Sequence, residues 1–453
     1  MRRRLARFAF GLAAAIAIAA PFALGAAPAQ AQVPNEQFIP ILIYRTGPYA
    51  PSATGFFGGY EDYMAMINER DGGINGVKLT WEECETAYQN DRGVECYERL
   101  KHRGPTGASV ISPLSTGIVY ALIDRATADK IPIISLSYGR TDTSDGRVFP
   151  YVFPLLVNFW SQNTAKIKFI GMKEGGMDKL KGKKIADVYH DSPYGAETIP
   201  VLEKQAEKYG FELKLYPVTR PGLDQRATWL QISQYKPDWV ILRGWGVMNP
   251  TALREAAAVG FPADHIVGVW WSGSEEDVIP AGDAAKGFIA AGFHGAGKEW
   301  PVIQDVIKYV HDKGHGNIDP SRIGSIFYNR GIVQGILVVE SIRTAQAHFG
   351  NRPLTGEEVR WGIENLKFDN KRIEELGAKG LFPAFKVSCE NHEGGGAVRF
   401  LQWNGQRWLN ASNWLTTDQE IVRPMVEESA AKYAAEKGLT PRDCSKELAA
   451  VHQ

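Results

Sequence analysis

Residues 46–79, TGPYAPSATGFFGGYEDYMAMINERDGGINGVKL, give the clearest indication of the fold class. Apolar side chains recur from Tyr60 to Ile67 at the spacing of one helix face, and Gly72 ends the predicted helix. Apolar, β-branched runs flank the helix and are predicted as strands: FIPILIYR (38–45) and VKLTWEE (77–83). The region therefore predicts a strand–helix–strand unit.

The alternation of strands and helices continues along the chain and restarts after about residue 165. Further strands are predicted at 108–114, 131–137, 184–190, 211–218, 239–245, 265–271 and 287–293, with helical segments between them. A hairpin is predicted around Asn404-Gly405. Two such runs predict an α/β protein with two doubly wound parallel sheets.

The N-terminus has the pattern of an export signal. Four arginines within residues 1–7 precede an apolar run (8–24), and Ala-Gln-Ala at 29–31 fits a signal peptidase site. A membrane anchor is the alternative, but Pro21 interrupts the run and no second run of about twenty apolar residues follows. We expect cleavage after Ala31 and a periplasmic location.

Charge and histidine spacing exclude several function classes. Removal of residues 1–31 takes away four arginines and no acids, which leaves 51 − 4 = 47 basic against 51 acidic residues. No basic stripe favours nucleic acid. The nine histidines show no zinc-binding spacing, so we expect neither a metal site nor a cofactor.

Four cysteines are present, and none forms a CxxC pair. In an oxidising compartment this favours disulfides, for which three connectivities are possible. Proximity along the chain favours Cys84–Cys96 and Cys389–Cys444. The second bond would tie down the C-terminal tail.

Hydroxyl side chains cluster where two predicted strands meet the following helices. Ligands of open parallel sheets bind outside the carboxyl ends of strands, where helix N-termini present free N–H groups. Such groups suit a carboxylate, although each hydroxyl alone is equally explained as a helix cap. The two clusters contain Ser112, Ser115 and Thr116, then Ser135, Ser137 and Thr141.

His190-Asp191-Ser192 contains the residue types of a catalytic triad. Triads assemble residues distant in sequence, and no GxSxG elbow occurs in the chain. We interpret the tripeptide as a strand end followed by a helix cap. An enzyme hydrolysing a bound ester or amide is the weakest functional hypothesis.

The pattern as a whole resembles the type I periplasmic binding proteins of the branched-chain amino acid family, the solute receptors of ABC importers. The resemblance runs from residues 46–79 through GASVISPLSTG, PIISLS, HDSPYG and REAAAVGF to FLQWNGQRW. Its most specific part is the phrase Ile67-Asn68, Gly72-Gly73-Ile74 and Gly76.

The resemblance implies two lobes joined by three hinge crossovers, with a solute enclosed between them. The implied division is a signal peptide (1–31), lobe 1 (36–155 and 291–375), lobe 2 (156–290 and 376–420) and a C-terminal helix and tail (421–453).

The resemblance also implies the ligand-binding residues. Ser115 and Thr116 would hold a ligand carboxylate, together with hydroxyl or small residues from Ser137 through Thr141. Rings lining the cleft would come from Tyr138, Tyr194 and Trp245.

GVWWSGSEED (268–277) departs from the family pattern. The family acid that pairs with a ligand ammonium falls at Trp270, and burying an ammonium without a carboxylate is costly. We therefore expect Trp270, or its neighbour, to line the site, with Trp271 in the core by default. The expected ligand is an aromatic or acyl carboxylate without an α-amino group. If Glu275 or Glu276 replaces the acid, the ligand is an amino acid.

The implied partner is an ABC permease in the inner membrane, and we expect a monomeric, non-catalytic receptor. The alternative partner is a signalling protein, with the ligand acting as a signal.

Overall fold

Parallel strands dominate the fold, as the sequence predicts. The computed structural model describes residues 35–446, so the predicted signal peptide and the last seven residues lie outside it. The strands are β1 (Glu36–Ile43), β2 (Lys78–Glu85), β3 (Ile133–Ile134), β4 (Val152–Phe153), β5 (Lys184–His190), β6 (Glu212–Val218), β7 (Trp239–Arg243), β8 (Ile266–Gly268), β9 (Ile289–Gly292), β10 (Lys367–Phe368), β11 (Phe385–Lys386), β12 (Ala397–Trp403), β13 (Trp408–Asn410) and β14 (Leu415–Thr416).

Fourteen α-helices connect and cover the strands in the described part of the chain. They are α1 (Ala50–Asp71), α2 (Asn90–Leu100), α3 (Thr116–Asp129), α4 (Phe159–Glu174), α5 (Pro193–Ala196), α6 (Ile199–Tyr209), α7 (Arg226–Tyr235), α8 (Met248–Ala258), α9 (Glu275–Val278), α10 (Pro301–Val306), α11 (Ile326–Phe349), α12 (Gly356–Glu364), α13 (Asn370–Glu375) and α14 (Gln419–Lys437). None of the helices in residues 35–446 is both long and apolar enough to cross a membrane.

The larger sheet has the order β13-β12-β9-β8-β7-β5-β6, and β14 also pairs with β12. Strands β5 to β9 are parallel, whereas β12 is antiparallel to β9 and β13. The predicted hairpin around Asn404-Gly405 is the β12–β13 pair. Helices between successive parallel strands make this sheet doubly wound.

The parallel pairs β1–β2 and β3–β4 are two separate ladders, which we together call the smaller sheet. Strands β10 and β11 form a further, antiparallel pair. The predicted strand 108–114 lies between the β1–β2 and β3–β4 pairs but forms only an isolated bridge, from Ile111 to Ile133. Pro113 has no N–H to donate, and Leu114 adopts a left-handed backbone with φ of 46°. The segment therefore ends in a turn before a ladder can form.

The chain passes between the two sheets three times, after β4, after β9 and before β12. Between the second and third passages, α11 returns to pack against α1, which follows β1. Gly59 and Gly331 lie at this helix pair, and a Cβ on either would overlap backbone of the other helix. The two helices approach closely because both positions lack a side chain.

Both disulfides follow the pairing that sequence proximity favours. Cys84 of β2 bonds to Cys96 of α2, and Cys389 bonds to Cys444. The second bond attaches the chain beyond α14 to the segment before β12.

Candidate ligand-binding site

A small cavity lies where the carboxyl ends of parallel strands from both sheets face each other. Its volume is about 10 Å³, room for roughly one water molecule. The two sheets are thus drawn together over the site in this structure. The lining residues are Tyr88, Leu114, Thr116, Tyr138, Tyr194, Trp245 and Trp271.

The N-terminus of α3 forms the polar part of the wall. Ser115 caps this helix, because its Oγ accepts the Ile118 N–H at 3.3 Å. Thr116 occupies the first helical position and lines the cavity. The first N–H groups of a helix have no partner within it and carry partial positive charge, so this corner suits an anion.

Tyr138 brings a second turn of the smaller sheet into the wall. Its hydroxyl accepts the Leu114 N–H at 2.8 Å, and the Gly139 N–H donates to Thr116 Oγ1 at 3.3 Å. These bonds join the turn after β3 to the turn before α3. The two hydroxyl-bearing segments singled out in the sequence are therefore hydrogen-bonded neighbours.

The larger sheet contributes aromatic rings to the opposite wall. The Tyr194 hydroxyl donates to the Gly244 carbonyl oxygen at 2.9 Å, which fixes its ring beside the loop that carries Trp245. The Trp245 indole meets Trp271 edge to face, with ring centroids 5.6 Å apart. Behind Tyr194, the Arg243 guanidinium lies 4.8 Å from the centroid of its ring. Rings held in this way present a rigid apolar surface.

The two adjacent indoles lie on the same side of the chain, contrary to the alternation expected on a strand. Strand β8 ends at Gly268, and Val269 to Ser272 form a turn closed by a hydrogen bond of 2.8 Å. Trp270 and Trp271 both donate Nε1–H to the Ser137 carbonyl oxygen, at 2.9 and 3.3 Å.

Trp271, rather than Trp270, is among the residues that line the cavity. Trp270 is fully buried behind it and stacks on Phe159, with ring centroids 6.1 Å apart. We expected Trp270, or its neighbour, at the wall, with Trp271 in the core by default; it is the neighbour, Trp271, that lines the cavity. The turn reverses the chain, so the alternating geometry of a strand does not apply.

The acids of 275–277 do not line the cavity. Glu275 accepts the Ile326 N–H at 2.9 Å, and Glu276 pairs with Arg322 at 2.5 Å. Asp277 accepts from Asn249 at 2.8 Å, and burial raises its pKa to about 8. Each acid is committed to a neighbour, and none of the lining residues is acidic.

Polar contacts cross between the two sheet units beside the cavity. Tyr49, which precedes α1, hydrogen bonds through its hydroxyl to Nε2 of His190 at 2.8 Å. Burial, with a smaller effect of Arg220, lowers the pKa of His190 to about 4, so its ring is neutral at pH 7. Glu197 accepts hydrogen bonds from the Tyr120 hydroxyl and, at 2.7 Å, from the Thr141 N–H.

His190 and Ser192 are closer than the sequence interpretation expects, since Nδ1 of His190 lies 2.7 Å from Ser192 Oγ. Ser192 also caps α5, and His190 ends β5, as predicted. Asp191 is exposed. The contact orients the histidine ring toward Tyr49 of the other unit.

The predicted site residues divide into three groups. Thr116, Tyr138, Tyr194 and Trp245 share the cavity, whereas Ser115, Ser137 and Trp270 support its wall from behind. Thr141 lies outside the cavity, beside Glu197.

The sequence interpretation did not include two lining residues, Tyr88 and Leu114, and it gave Trp271 only as the alternative to Trp270. Tyr88 follows the parallel strand β2, and this position is the signal that was available for it, whereas Leu114 is the last residue of the predicted strand 108–114. In the described residues, 35–446, no group of three or more His, Cys, Asp or Glu side chains could hold a metal ion.

Two parallel-sheet units that close over a cavity at the carboxyl ends of their strands define a two-lobed small-molecule-binding protein. The chain belongs to the periplasmic binding protein family, whose model matches residues 36–407. Its fold is the type I fold of the branched-chain amino acid group, which confirms the fold class predicted from the sequence. No curated protein matches the chain.

Three solved structures are similar over nearly their whole length. A protein described as an ABC transporter permease, from the Pseudomonas fluorescens group, is 49% identical with a TM-score of 0.84, over 91% of this chain and 100% of its own. A branched-chain amino acid ABC transporter protein from Thermus thermophilus with bound valine is 22% identical, with a TM-score of 0.73 and coverages of 86% and 99%. A solute-binding protein of an ABC transporter from R. palustris in complex with benzoate is 17% identical, with a TM-score of 0.65 and coverages of 84% and 98%.

Proposed function

We propose that this protein is an exported solute receptor of an ABC importer, which encloses one small aromatic or acyl carboxylate without an α-amino group. The observation that carries the proposal is the composition of the cavity wall. One side offers Thr116 and the N-terminus of α3, the other offers Tyr194, Trp245 and Trp271, and no acid lines either side.

The proposed binding mode assigns each wall one part of the ligand. The carboxylate accepts hydrogen bonds from Thr116 Oγ1 and the first N–H groups of α3, where the helix dipole favours negative charge. The ring or acyl chain lies against the rings of Tyr194, Trp245 and Trp271. An ammonium group on the same ligand would be buried without a counter-charge, which costs several kcal/mol.

The proposed mechanism is hinge closure. The ligand enters when the two units separate, because a ring-bearing acid is far larger than the 10 Å³ cavity of the closed arrangement. Contacts made by both units then favour the closed form, which a permease of the inner membrane recognises. Residues 1–31 direct export, and the proposed lobes follow the divisions 36–155 with 291–375 and 156–290 with 376–420.

Similarity in fold alone permits either ligand class, since one structural neighbour holds benzoate and another holds valine. Support for the carboxylate comes from the acids of the 275–277 segment. Glu275, Glu276 and Asp277 are each bonded to another group of the protein, and none of them lines the cavity where a ligand ammonium would lie.

A thermal-shift screen tests the proposal. Because a ligand that binds only the folded state raises Tm, benzoate and cinnamate at millimolar concentration should stabilise the protein, and leucine and valine should not. The variant Thr116→Val should lose most of this shift. The control Thr54→Val, at a partly buried position of α1 that does not line the cavity, should retain it. Stabilisation by leucine or valine alone would mean that the ligand is an amino acid and not a carboxylate without an α-amino group.

A further inference from the structure

A larger groove lies at the junction of the chain passages and shares no lining residue with the central cavity. Its volume is about 560 Å³, within the range of small-molecule sites. Short segments around the second and third passages form it, together with the β12–β13 hairpin. The lining residues are Glu275, Gly295, Ala296, Gly297, Glu299, Trp300, Gly324, Gly380, Arg399, Leu401, Arg407, Trp408, Leu409 and Asn410.

Arg399 is the unusual group in this groove. Its guanidinium lies over the Trp414 ring, 4.8 Å from the centroid, and has no hydrogen-bond or ion-pair partner among the described residues. Its Nε–H is buried, and burial lowers the pKa of the side chain. A guanidinium placed over an indole, with its donors unused, can bind a carboxylate through two parallel hydrogen bonds.

Apolar side chains cover the walls next to Arg399. Trp300, Trp408 and Leu401 line the groove, and Leu409 at its edge is 42% exposed. Such a surface suits a flat hydrocarbon body. Two acids line the groove: Glu275, which accepts the Ile326 N–H, and Glu299, which is exposed. Neither forms an ion pair with Arg399, so the anionic end of a ligand belongs at Arg399.

The groove wall is made of the segments that join the two sheets. The Gly295 N–H donates to the Leu381 carbonyl oxygen at 2.9 Å, and the Gly297 N–H donates to the Gly324 carbonyl oxygen at 2.7 Å. These bonds join the second passage to the segment before α11 and to the segment before β11. A ligand in the groove would therefore contact the hinge itself.

We propose that this groove is a second binding site, for an organic carboxylate with a flat apolar body, in which Arg399 holds the carboxylate and Trp300 and Trp408 hold the body. The proposal is independent of the ligand bound in the central cavity, because the two sites have different walls.

Calorimetric titration with 1-naphthylacetate tests the proposal on the mature chain. The wild type should bind two equivalents, one in each site. Arg399→Met should lose one equivalent or bind it at least about tenfold more weakly, because a hydrogen-bonded charge pair is removed. The control Arg103→Met, a surface arginine 65% exposed, should behave like the wild type.

The variants separate this proposal from the function of the central cavity. If the central cavity rejects aromatic acids, the wild type binds a single equivalent that Trp271→Ala retains and Arg399→Met loses, and the second site stands. Unchanged stoichiometry and affinity in Arg399→Met would overturn the second site. Equal binding of 1-naphthylmethylamine at this site would overturn it too, since that probe carries the same rings with a positive charge.

Discussion

Trp271 donates its indole N–H to the Ser137 carbonyl oxygen across 3.3 Å, and this bond joins the turn after β8 to the turn after β3. Trp270 donates to the same oxygen at 2.9 Å. The Ser137 backbone is in the left-handed region, with φ of 55°, which turns its carbonyl toward both indoles. One backbone oxygen thus links the two units directly behind the cavity, and the neighbouring tryptophans take different roles around it.

Removal of the Trp271 ring should weaken ligand binding. Trp271→Ala removes one ring of the cavity wall. We therefore expect binding of a stabilising aromatic acid to weaken by about 1–3 kcal/mol, seen as a higher Kd. Calorimetry measures the change. The matched control is Trp361→Ala, because Trp361 stacks on His348 outside the cavity. An unchanged Kd in Trp271→Ala would remove this indole from the site.

Removal of the Trp270 ring should act mainly on stability. Trp270 is fully buried and packs on Phe159 and Phe293, so Trp270→Ala should lower the free energy of unfolding by about 3–5 kcal/mol. Urea denaturation in the absence of ligand gives this value. A loss below about 1 kcal/mol would show that the core closes around the missing ring.

Glu197 should make stability depend on pH. Burial raises the pKa of Glu197 from 4.5 to about 7, although hydrogen bonds from Tyr120 and Thr141 oppose the rise. Between these values the folded protein holds a proton that the unfolded chain has released, so this contribution to stability is complete below about pH 4.5 and is lost as pH rises toward 7.

The substitution Glu197→Gln removes this titration. Between pH 5 and pH 8 the wild type should lose on the order of 3 kcal/mol of its free energy of unfolding relative to the variant. Urea denaturation at four pH values measures the difference. Glu203→Gln, at an exposed position of α6, serves as control. Parallel pH profiles for wild type and Glu197→Gln would contradict the assignment.

The two disulfides should differ in their contribution to stability. Cys389–Cys444 spans 55 residues and Cys84–Cys96 spans 12. The entropy of the unfolded chain grows with loop length, so the double Cys→Ser variants should lose about 4 and about 3 kcal/mol respectively. Thermal denaturation should therefore give the variant without Cys389–Cys444 a lower Tm than the variant without Cys84–Cys96. The reverse order would mean that native-state packing outweighs loop entropy.

Local sequence signals located most of the candidate site. A search for hydroxyl and aromatic residues after predicted parallel strands finds Thr116, Tyr138, Tyr194 and Trp245, which line the cavity. The rule works because the strand ends meet at one edge of each sheet. Thr141 carries the same signal but lies beside Glu197, since the turn from 141 to 144 leads the chain away from the cavity. Strand-end position alone does not give the path of the loop that follows.

The two parallel-sheet units and the strand ends that meet at the cavity could be predicted from the sequence, and proximity along the chain favoured the observed disulfide pairing. These features depend on local periodicity, on turn residues and on distance along the chain. The indole that faces the cavity and the partners of the three acids could be seen only in the folded protein. The turn at Val269–Ser272 replaces the alternation of a strand, which local periodicity does not reveal. Ile326, Arg322 and Asn249, which bond to the three acids, come from other parts of the chain.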